Sequence, residues 1–329
     1  MRILIVKLSS LGDIIHTLPA LNSLKIAYPQ AQIDWVTEET GKELLLGHPY
    51  LDRIIVYQRY AWPEKLKKGK WTQVIREFMT FKNQLQPYHI VIDFQGLLKS
   101  ALVAFLAKGK EKIGFANGHE YSHFVLTKKF RVNYNEHAVI RYLKLVRFAN
   151  VPVDFNHIVF PLPPPIGFDL KIKPPYIVVN PIARWRSKMW FQEKWRTLAQ
   201  KLSSLGYKIV FTGTKKDRNY IHNICQGFAK CINLAGKTSL NTLISLYKKA
   251  TLAISIDTGT MHLAVAAGLP VIALFGPTAP WRTGPFGKNH TVIYKSLPCQ
   301  PCFKKYCATK ECLKRIEVEE VIEAVRKYQ

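Results

Sequence analysis

A single carboxylate stands at the start of an amphipathic segment near the N-terminus. The stretch KLSSLGD, residues 7–13, follows the apolar run ILIV and precedes IIHTLPAL. This pattern predicts a strand, a tight loop and a helix. Gly12 gives the loop conformational freedom, and the helix N-terminus presents free N–H groups. Two interpretations of Asp13 stay open: it caps the helix, or it serves as a general base at the floor of a ligand cleft.

Cations follow the first strand-like run of the second half. The stretch NPIARWRSKMWFQEKW, residues 180–195, places Arg184, Arg186 and Lys188 ahead of a helix-like segment. Positive charge between a strand and a helix N-terminus is typical of a pyrophosphate site. The alternative is a solvated basic loop in a protein that is basic throughout.

A third constellation lies in AISIDTGTMHLAVAAGLPVIALFGPTAPWRTGPFG, residues 253–287. The pattern predicts a strand, a helix and a second strand, with Thr258, Gly259 and Thr260 at the helix start. Their N–H and hydroxyl groups are suited to holding phosphate oxygens. His262 falls within the first turn, where it is either a ligand contact or an ordinary half-buried histidine.

Strand-like runs alternate with amphipathic stretches of about a dozen residues along most of the chain. The runs begin at Ile3, Ile33, Ile54, Ile90, Tyr176, Ile209, Leu252 and Val271. This alternation predicts an α/β protein with parallel, doubly wound sheets. Such sheets bind ligands at the carboxyl ends of their strands, so we expect two Rossmann-like domains facing a central cleft.

Proline marks the predicted domain boundary. The stretch 153–176 contains six prolines, which resist both helix and central strand. We predict an N-terminal domain over 1–160, a linker over 161–175 and a C-terminal domain over 176–329. The helix-like tail IEVEEVIEAVRKY could lie across either domain.

The charge balance favours anionic partners. The chain carries 48 Lys and Arg against 22 Asp and Glu, a net charge of +26, and both halves share the excess. Nucleic acid, an anionic membrane surface and phosphorylated substrates all fit such a field. No nucleic-acid-binding motif is recognised, which disfavours the first. No apolar run reaches the length of a membrane span and no signal peptide is evident, so we expect a cytoplasmic protein.

A basic stretch, RYAWPEKLKKGKW, covers residues 59–71. Arg59 and Lys65 are its candidates for contacting an anionic acceptor, and a solvated loop is the alternative. Basic residues alternating with Trp and Tyr also suit a membrane interface.

Four cysteines cluster near the C-terminus, at Cys299, Cys302, Cys307 and Cys312. Their spacing on one segment differs from the usual two-knuckle arrangement of structural zinc. Reduced, unliganded thiols are the default expectation, with a structural metal site as the alternative.

Taken together, the three constellations resemble the ADP-heptose:lipopolysaccharide heptosyltransferases, inverting glycosyltransferases of the GT-B fold. The resemblance rests on KLSSLGDIIHTLPAL, on VIDFQGLLKSA (residues 91–101), on the K-x-W of Lys188–Trp190 and on SIDTGTMHLAVAAGLPVIALFGPT. These motifs cover both predicted domains in the right order, and the heptosyltransferase I branch is the more similar one.

The resemblance implies transfer of heptose from ADP-heptose to a 3-deoxy-D-manno-octulosonic acid (Kdo) residue of a Kdo-lipid A acceptor, at the inner face of the cytoplasmic membrane. It implies that Asp13 is the catalytic base. The implied donor-binding residues are Arg184, Lys188, Asp257, Thr258, Gly259 and His262. The candidate acceptor-binding residues are Ser10, Gly12, Arg59, Lys65, Gln95 and His137.

No cofactor or catalytic metal is expected, because the chain has no Asp-x-Asp pair to hold one on a diphosphate. Arg184 and Arg186 stand where some heptosyltransferases have threonine or acidic residues. The alternatives within this class are a heptosyltransferase II or another ADP-sugar transferase. Outside it, the alternatives are an inactive sugar-nucleotide binder and a polyanion-binding or nucleic-acid-binding protein.

Overall fold

Each half of the chain forms its own parallel sheet. The computed structural model describes residues 1–165 and 172–328. The chain divides into two compact units, Met1–Pro164 and Pro165–Gln329. The division falls between two prolines of the predicted linker, whose residues 166–171 lie outside the described residues.

The first unit contains six strands and six α-helices. The strands are β1 (Arg2–Val6), β2 (Gln32–Thr37), β3 (Arg53–Val56), β4 (Tyr88–Asp93), β5 (Gly109–Phe115) and β6 (Lys128–Phe130). The helices are α1 (Leu11–Ala27), α2 (Glu39–Leu45), α3 (Ala61–Lys67), α4 (Trp71–Gln84), α5 (Leu98–Leu106) and α6 (Ala138–Phe148), with a 3-10 turn at Ser122–Val125. The order across the sheet is β3-β2-β1-β4-β5-β6.

The second unit repeats this plan. Its strands are β7 (Tyr176–Asn180), β8 (Lys208–Phe211), β9 (Cys231–Asn233), β10 (Leu252–Ile256), β11 (Val271–Phe275) and β12 (His290–Tyr294). Its helices are α7 (Gln192–Ser204), α8 (Arg218–Cys225), α9 (Leu240–Lys249), α10 (Gly259–Ala266), α11 (Pro280–Thr283), α12 (Glu311–Lys314) and α13 (Val318–Arg326), with 3-10 turns at Arg186–Lys188 and Lys215–Asp217. The sheet order is β12-β11-β10-β7-β8-β9.

The two sheets have the same topology, because the first strand of each unit pairs with the second and the fourth. All the strand pairs are parallel, with Val6 opposite both Val36 and Asp93 in the first sheet. In the second sheet Ser255 lies opposite Asn180. This is the strand order of doubly wound dinucleotide-binding domains, whose order reverses beside the first strand. The predicted α/β class with two Rossmann-like sheets is therefore confirmed.

The strands β1, β7, β10 and β11 are mostly apolar runs because both of their faces are buried. In the second unit, Trp190 and Trp195 pack edge to face with ring centroids 4.9 Å apart. The tail helix α13 belongs to this unit, where Val321 and Val325 are buried in the same core. None of the helices in the described part of the chain is long and apolar enough to cross a membrane.

Two glycines allow a test of how tightly the second unit is packed. Gly236 and Gly268 have φ values of +73° and +81°, so alanine strains the backbone at both, by about 1–2 kcal/mol. A Cβ on Gly236 would also lie 2.8 Å from Cα of Lys215, whereas one on Gly268 meets nothing within 4 Å. We expect Gly236→Ala to lower the free energy of unfolding by about 1–3 kcal/mol more than Gly268→Ala. Equal losses in urea denaturation would contradict this packing.

Candidate active site

Most of the predicted site residues lie at the two points where strand order reverses. In the first unit, the loop after β1 leads to Asp13 and the loop after β4 contains Gln95. In the second unit, the loop after β7 contains Lys188, and Asp257 follows β10 directly. Chains leaving two neighbouring strands in opposite directions open a crevice there, which is where ligands of such sheets bind.

Asp13 takes part in the cap of α1 from the third helical position, while Ser10 is the N-cap residue. Its Oδ2 accepts hydrogen bonds from the Ser10 backbone N–H at 3.1 Å and from Ser10 Oγ at 2.8 Å. The Asp13 Oδ1 atom faces Tyr142, whose hydroxyl lies 3.4 Å away. The two carboxylate oxygens therefore have different environments, and capping engages mainly one of them.

A buried ammonium lies behind this carboxylate. Lys7 is 2% exposed, and its Nζ donates to Tyr142 Oη at 2.8 Å and to the Phe94 carbonyl oxygen at 3.0 Å. Burial lowers the pKa of Lys7, while the charges of Asp13 and Asp93 oppose that shift. Burial also raises the pKa of Tyr142 well above its ordinary value, so its hydroxyl stays protonated and can donate to Asp13.

The loop before Asp13 is held by groups from neighbouring elements. Gln95 Oε1 accepts from the backbone N–H groups of Leu8 and Ser9, at 3.2 and 3.1 Å. Lys99 on α5 donates to Ser9 Oγ at 2.9 Å and to buried Glu38 at 2.6 Å. The backbone that presents Asp13 is thus fixed from two directions, and Gln95 acts on that backbone.

Asp93 holds the loop that carries Gln95. It is 1% exposed, and its carboxylate accepts from the backbone N–H groups of Gln95 and Gly96 and from Ser100 Oγ at 2.8, 3.2 and 2.9 Å. Burial raises the pKa of Asp93, and these hydrogen bonds work against the rise.

The other candidate acceptor residues fall into two groups. Arg59 donates to Glu38 at 3.3 Å and so joins the network around the loop. His137 caps α6 by accepting from Val139 N, and its ring lies 5.3 Å from that of His16 on α1. Lys65 is instead bound to Glu77, at 2.5 Å, within the α3–α4 hairpin. The basic stretch forms α3 rather than a loop.

Lys188 and Asp257 form an ion pair at the second point of strand reversal. Lys188 Nζ lies 2.6 Å from Asp257 Oδ2, and Thr278 donates to the same oxygen at 2.6 Å. The lysine side chain is 17% exposed and the carboxylate 8%. The ammonium also lies 4.7 Å from the centroid of the Trp185 ring. It therefore keeps a solvent-facing side, where it can meet an anion.

The start of α10 adjoins this ion pair. Thr258 is the N-cap residue in extended conformation, and Gly259 begins the helix, so its first N–H groups face the end of β10. His262 lies one turn further and is 6% exposed, within the packed part of the helix. Arg184 is exposed on the loop after β7. The structure thus places Lys188, Asp257, Thr258 and Gly259 together at the end of β10.

The cysteine-rich segment supports the lysine loop. Ser187 donates from Oγ to the Lys304 carbonyl oxygen at 2.6 Å, and Lys310 Nζ donates to the Met189 carbonyl oxygen at 3.1 Å. Trp190, the last residue of the K-x-W motif, is 1% exposed and donates to the Leu313 carbonyl oxygen at 3.1 Å. The motif therefore combines a buried anchor with an accessible cation.

The four clustered cysteines are free thiols in the described structure, with Cys312 buried and Cys299 and Cys307 exposed. Within residues 1–165 and 172–328, no group of three or more His, Cys, Asp or Glu side chains is arranged to hold a metal ion. The remaining two cysteines, Cys225 and Cys231, form a disulfide between α8 and β9, which the sequence analysis did not predict.

Several residues at the two sites were missed from the sequence. Lys7 stands in the motif that drew attention to Asp13, but charge at a strand end is usually solvated. Tyr142 and Glu38 have no local pattern, and Lys99 lies within the motif VIDFQGLLKSA but was not singled out. At the end of β7, Asn180 Oδ1 accepts from Thr212 Oγ1 at 2.5 Å and from Tyr247 Oη at 3.0 Å.

The fold and these two sites define a class, the two-domain nucleotide-sugar transferases with GT-B architecture. The model of glycosyltransferase family 9 (heptosyltransferase) matches residues 79–313, and the chain belongs to this family. Lipopolysaccharide heptosyltransferase 1 of Pseudomonas aeruginosa is 33% identical, over 93% of this chain and 87% of that protein.

Solved structures agree with this assignment. The E. coli heptosyltransferase WaaC with ADP superposes with a TM-score of 0.84 at 28% identity, covering 100% of both chains. WaaC with ADP-2-deoxy-2-fluoro heptose superposes with a TM-score of 0.81 at 27% identity, again over 100% of both chains. The chain is therefore an enzyme of the glycosyltransferase class.

The contact between Lys7 and Tyr142 gives a stability test. Tyr142→Phe removes the hydroxyl that accepts from the buried ammonium, which should lower the free energy of unfolding by about 1.5–3 kcal/mol, because the lost hydrogen bond is to a charged group. Tyr176→Phe is the matched control, since its buried hydroxyl donates to the neutral Leu246 carbonyl at 2.7 Å. We expect that control to lose about 0.5–1.5 kcal/mol. A larger loss in the control, measured by urea denaturation, would refute the role given to Lys7.

Proposed function

We propose that this chain is an inverting heptosyltransferase that moves L-glycero-D-manno-heptose from ADP-heptose to a Kdo residue of Kdo-lipid A, in lipopolysaccharide inner-core synthesis. It acts at the inner face of the cytoplasmic membrane. The observation that carries the proposal is the pair of sites at the strand reversals: at one, a carboxylate whose Oδ1 lies outside the helix cap and faces the Tyr142 hydroxyl, and at the other, a partly exposed lysine beside a helix N-terminus.

Asp13 is the general base in this proposal. The acceptor hydroxyl oxygen forms a bond to the anomeric carbon of the heptose as the bond from that carbon to the β-phosphate oxygen of ADP breaks. The hydroxyl proton passes to Asp13 Oδ1, and ADP leaves with the electron pair of the broken bond. A single displacement of this kind inverts the anomeric centre and needs no protein nucleophile.

The environment of Asp13 keeps it ionised for this role. Both Ser10 hydrogen bonds and the N-terminus of α1 favour the charged carboxylate. That makes Asp13 a weak base, whose strength an anionic acceptor increases, because a nearby like charge disfavours the ionised form. A Kdo carboxylate supplies such a charge.

Lys188 and the start of α10 hold the donor diphosphate. An ammonium has three donors, so Lys188 can keep Asp257 and still donate to a phosphate oxygen. The N–H groups at Gly259 and Thr260 add the helix-terminus contribution. These groups supply the charge stabilisation for the leaving ADP, and we expect turnover to persist in the presence of a chelator.

The rival within the class is a heptosyltransferase II, which uses an already heptosylated acceptor. The donor site is expected to be the same in both, so the acceptor decides between them. Turnover on the heptosylated acceptor with none on Kdo-lipid A would favour the rival.

The first test of the proposal is Asp13→Asn. Asparagine keeps a side-chain oxygen that can accept both hydrogen bonds from Ser10, but it cannot take a proton. We expect ADP release from ADP-heptose with Kdo-lipid A to fall by about 10²–10⁴-fold, with ADP affinity unchanged. The assay is run in chelator.

Asp217→Asn is the matched control. Asp217 makes the same two contacts with Thr214 that Asp13 makes with Ser10, both at 2.7 Å, at the start of a helical segment in the second unit. It should match Asp13→Asn in thermal stability and keep full turnover. Asp13→Asn turning over like Asp217→Asn would leave Asp13 as a cap alone.

The second test concerns the donor cation. Lys188→Met should weaken ADP binding by about 10–100-fold, the effect of losing a hydrogen bond between a charged donor and a phosphate. Lys188→Arg should bind ADP more tightly than Lys188→Met, because it keeps the positive charge. Isothermal titration calorimetry gives both values.

Lys188→Met also leaves Asp257 buried without its cation, which is costly enough to threaten folding. The double variant Lys188→Met/Asp257→Asn removes that penalty and keeps the experiment interpretable. Lys194→Met is the control, since this lysine bonds to the Lys314 and Ile316 carbonyls and to Glu317, none of which is a proposed donor-binding residue. ADP affinity equal in the Lys188 and Lys194 variants would remove Lys188 from the donor site.

A further inference from the structure

An exposed apolar surface lies beside the Asp13 loop. It consists of Leu98, Leu102 and Phe105 on α5 and Tyr121 and Phe124 at the neighbouring 3-10 turn, and we call it the α5 apolar face. These side chains are 62%, 41%, 65%, 75% and 72% exposed, in that order. A group of large exposed apolar side chains on one surface is typical of an interaction site, whereas single exposed apolar side chains are common and need no explanation.

The helix residues form one stripe. Positions 98, 102 and 105 are four and three residues apart, which places them on one side of α5. The opposite side is buried, through Ser100, Ala101, Val103 and Ala104. The exposed stripe is therefore a second apolar side that the core of the unit does not use.

The two segments of the surface are fixed to one another. Glu120 accepts from the Leu98 backbone N–H at 3.0 Å, and His119 N donates to the Gly96 carbonyl oxygen at 2.9 Å. The Tyr121 and Phe124 rings stack with centroids 6.0 Å apart. The α5 apolar face is a preformed surface held by backbone hydrogen bonds.

Positive charge borders this surface. Lys112 Nζ lies 5.8 Å from the centroid of the Phe105 ring, and Lys108 and Lys110 follow the end of α5 and are exposed. The acidic neighbours are engaged: Glu111 pairs with Lys128 at 2.8 Å, and Glu120 binds the Leu98 N–H. Aromatic and aliphatic side chains bordered by lysine match the composition of surfaces that lie in the headgroup region of anionic membranes.

The surface is continuous with the proposed acceptor site. Lys99 is next to Leu98 in sequence, and its Nζ donates to Ser9 Oγ at 2.9 Å in the loop that presents Asp13. A lipid-anchored acceptor must bring its sugar to Asp13 while its acyl chains stay in the bilayer. A membrane-contacting surface that begins at this loop meets that requirement.

We propose that the α5 apolar face is where this enzyme rests on a bilayer containing anionic lipid, with its side chains in the interfacial layer. The inference rests on the proposed function, since it takes the acceptor to be membrane-anchored. A second copy of the chain fits less well: five side chains cover less than the roughly 800 Å² per partner of a stable interface. A symmetric dimer would also bring the lysines of both copies together.

Vesicle flotation without donor or acceptor tests the surface independently of the reaction. We expect the full chain to bind vesicles of phosphatidylethanolamine and phosphatidylglycerol and to bind phosphatidylcholine vesicles far less. Leu102→Glu/Phe105→Glu should weaken binding to the anionic vesicles by roughly tenfold or more, since two apolar side chains leave the interface.

The matched control is Ile75→Glu/Met79→Glu on α4. These side chains are 62% and 45% exposed and the variant adds the same charge, so any general electrostatic loss is equal in both variants. We expect the α4 variant to bind at least several-fold more tightly than the α5 variant. Equal binding by the two variants, or loss confined to the α4 variant, would overturn the proposal.

Two further readouts separate the remaining outcomes. With a deacylated, water-soluble acceptor, the α5 variant should turn over like the wild type, while it should lose activity on acceptor presented in vesicles. A wild type that floats with vesicles but transfers no heptose would refute the proposed function and leave the membrane surface standing. Light scattering that shows a wild-type dimer, dissociated by the α5 substitutions, would assign the surface to a second copy instead.

Discussion

The strand order of the two sheets is the constraint on which the rest of the structure depends. The first strand of each sheet lies in the middle of that sheet. The chain must therefore add strands first on one side of it and then on the other. The loops after β1 and β4 therefore diverge, and so do those after β7 and β10. Backbone groups at these points lack strand partners on one side. They are available for ligands only if other groups hold the loops in place.

The two units hold their loops by different electrostatic means. In the first unit, buried charges act on the backbone behind the site: Asp93 binds N–H groups, and Lys7 binds a carbonyl and the Tyr142 hydroxyl. In the second unit, the ion pair of Lys188 and Asp257 is itself at the surface of the site. One loop thus presents a carboxylate and the other a cation, on the same topology. That difference is the basis of the separate acceptor and donor roles proposed for the two units.

The sequence was sufficient for the fold where strands are runs of consecutive apolar residues. All eight predicted strands exist, and all of them except β3 lie inside their sheets. The strands β5, β6, β9 and β12 were not predicted. Of these, β6 and β9 have three residues each, and the sequence of β5, GKEKIGF, contains three consecutive charged residues. Such strands form because of the neighbouring strands they pair with, and their own sequences do not show a strand pattern.

The same reasoning explains which parts of the sites were found. Asp13, Lys188 and Asp257 lie within short motifs, where residue type and spacing carry the signal. Tyr142 and Glu38 act on those motifs from elements more than twenty residues away in sequence, so that only folding brings them near. Lys65 shows the converse, because a basic stretch in sequence became a helix whose lysine pairs with Glu77. The sequence shows which charged side chains are present, but the fold determines which partners they bind.

The geometry of Asp13 makes its part in the helix cap compatible with the role of base proposed for it. A carboxylate has two oxygens, and the cap uses Oδ2, whereas Oδ1 points towards Tyr142. The cap fixes the orientation of the side chain, which a base needs in order to meet one particular hydroxyl. The buried Lys7 donates to the Tyr142 hydroxyl, which in turn faces Asp13 Oδ1 and holds that side of the carboxylate in place. A helix cap supported in this way would give the proposed base a fixed orientation before the acceptor binds.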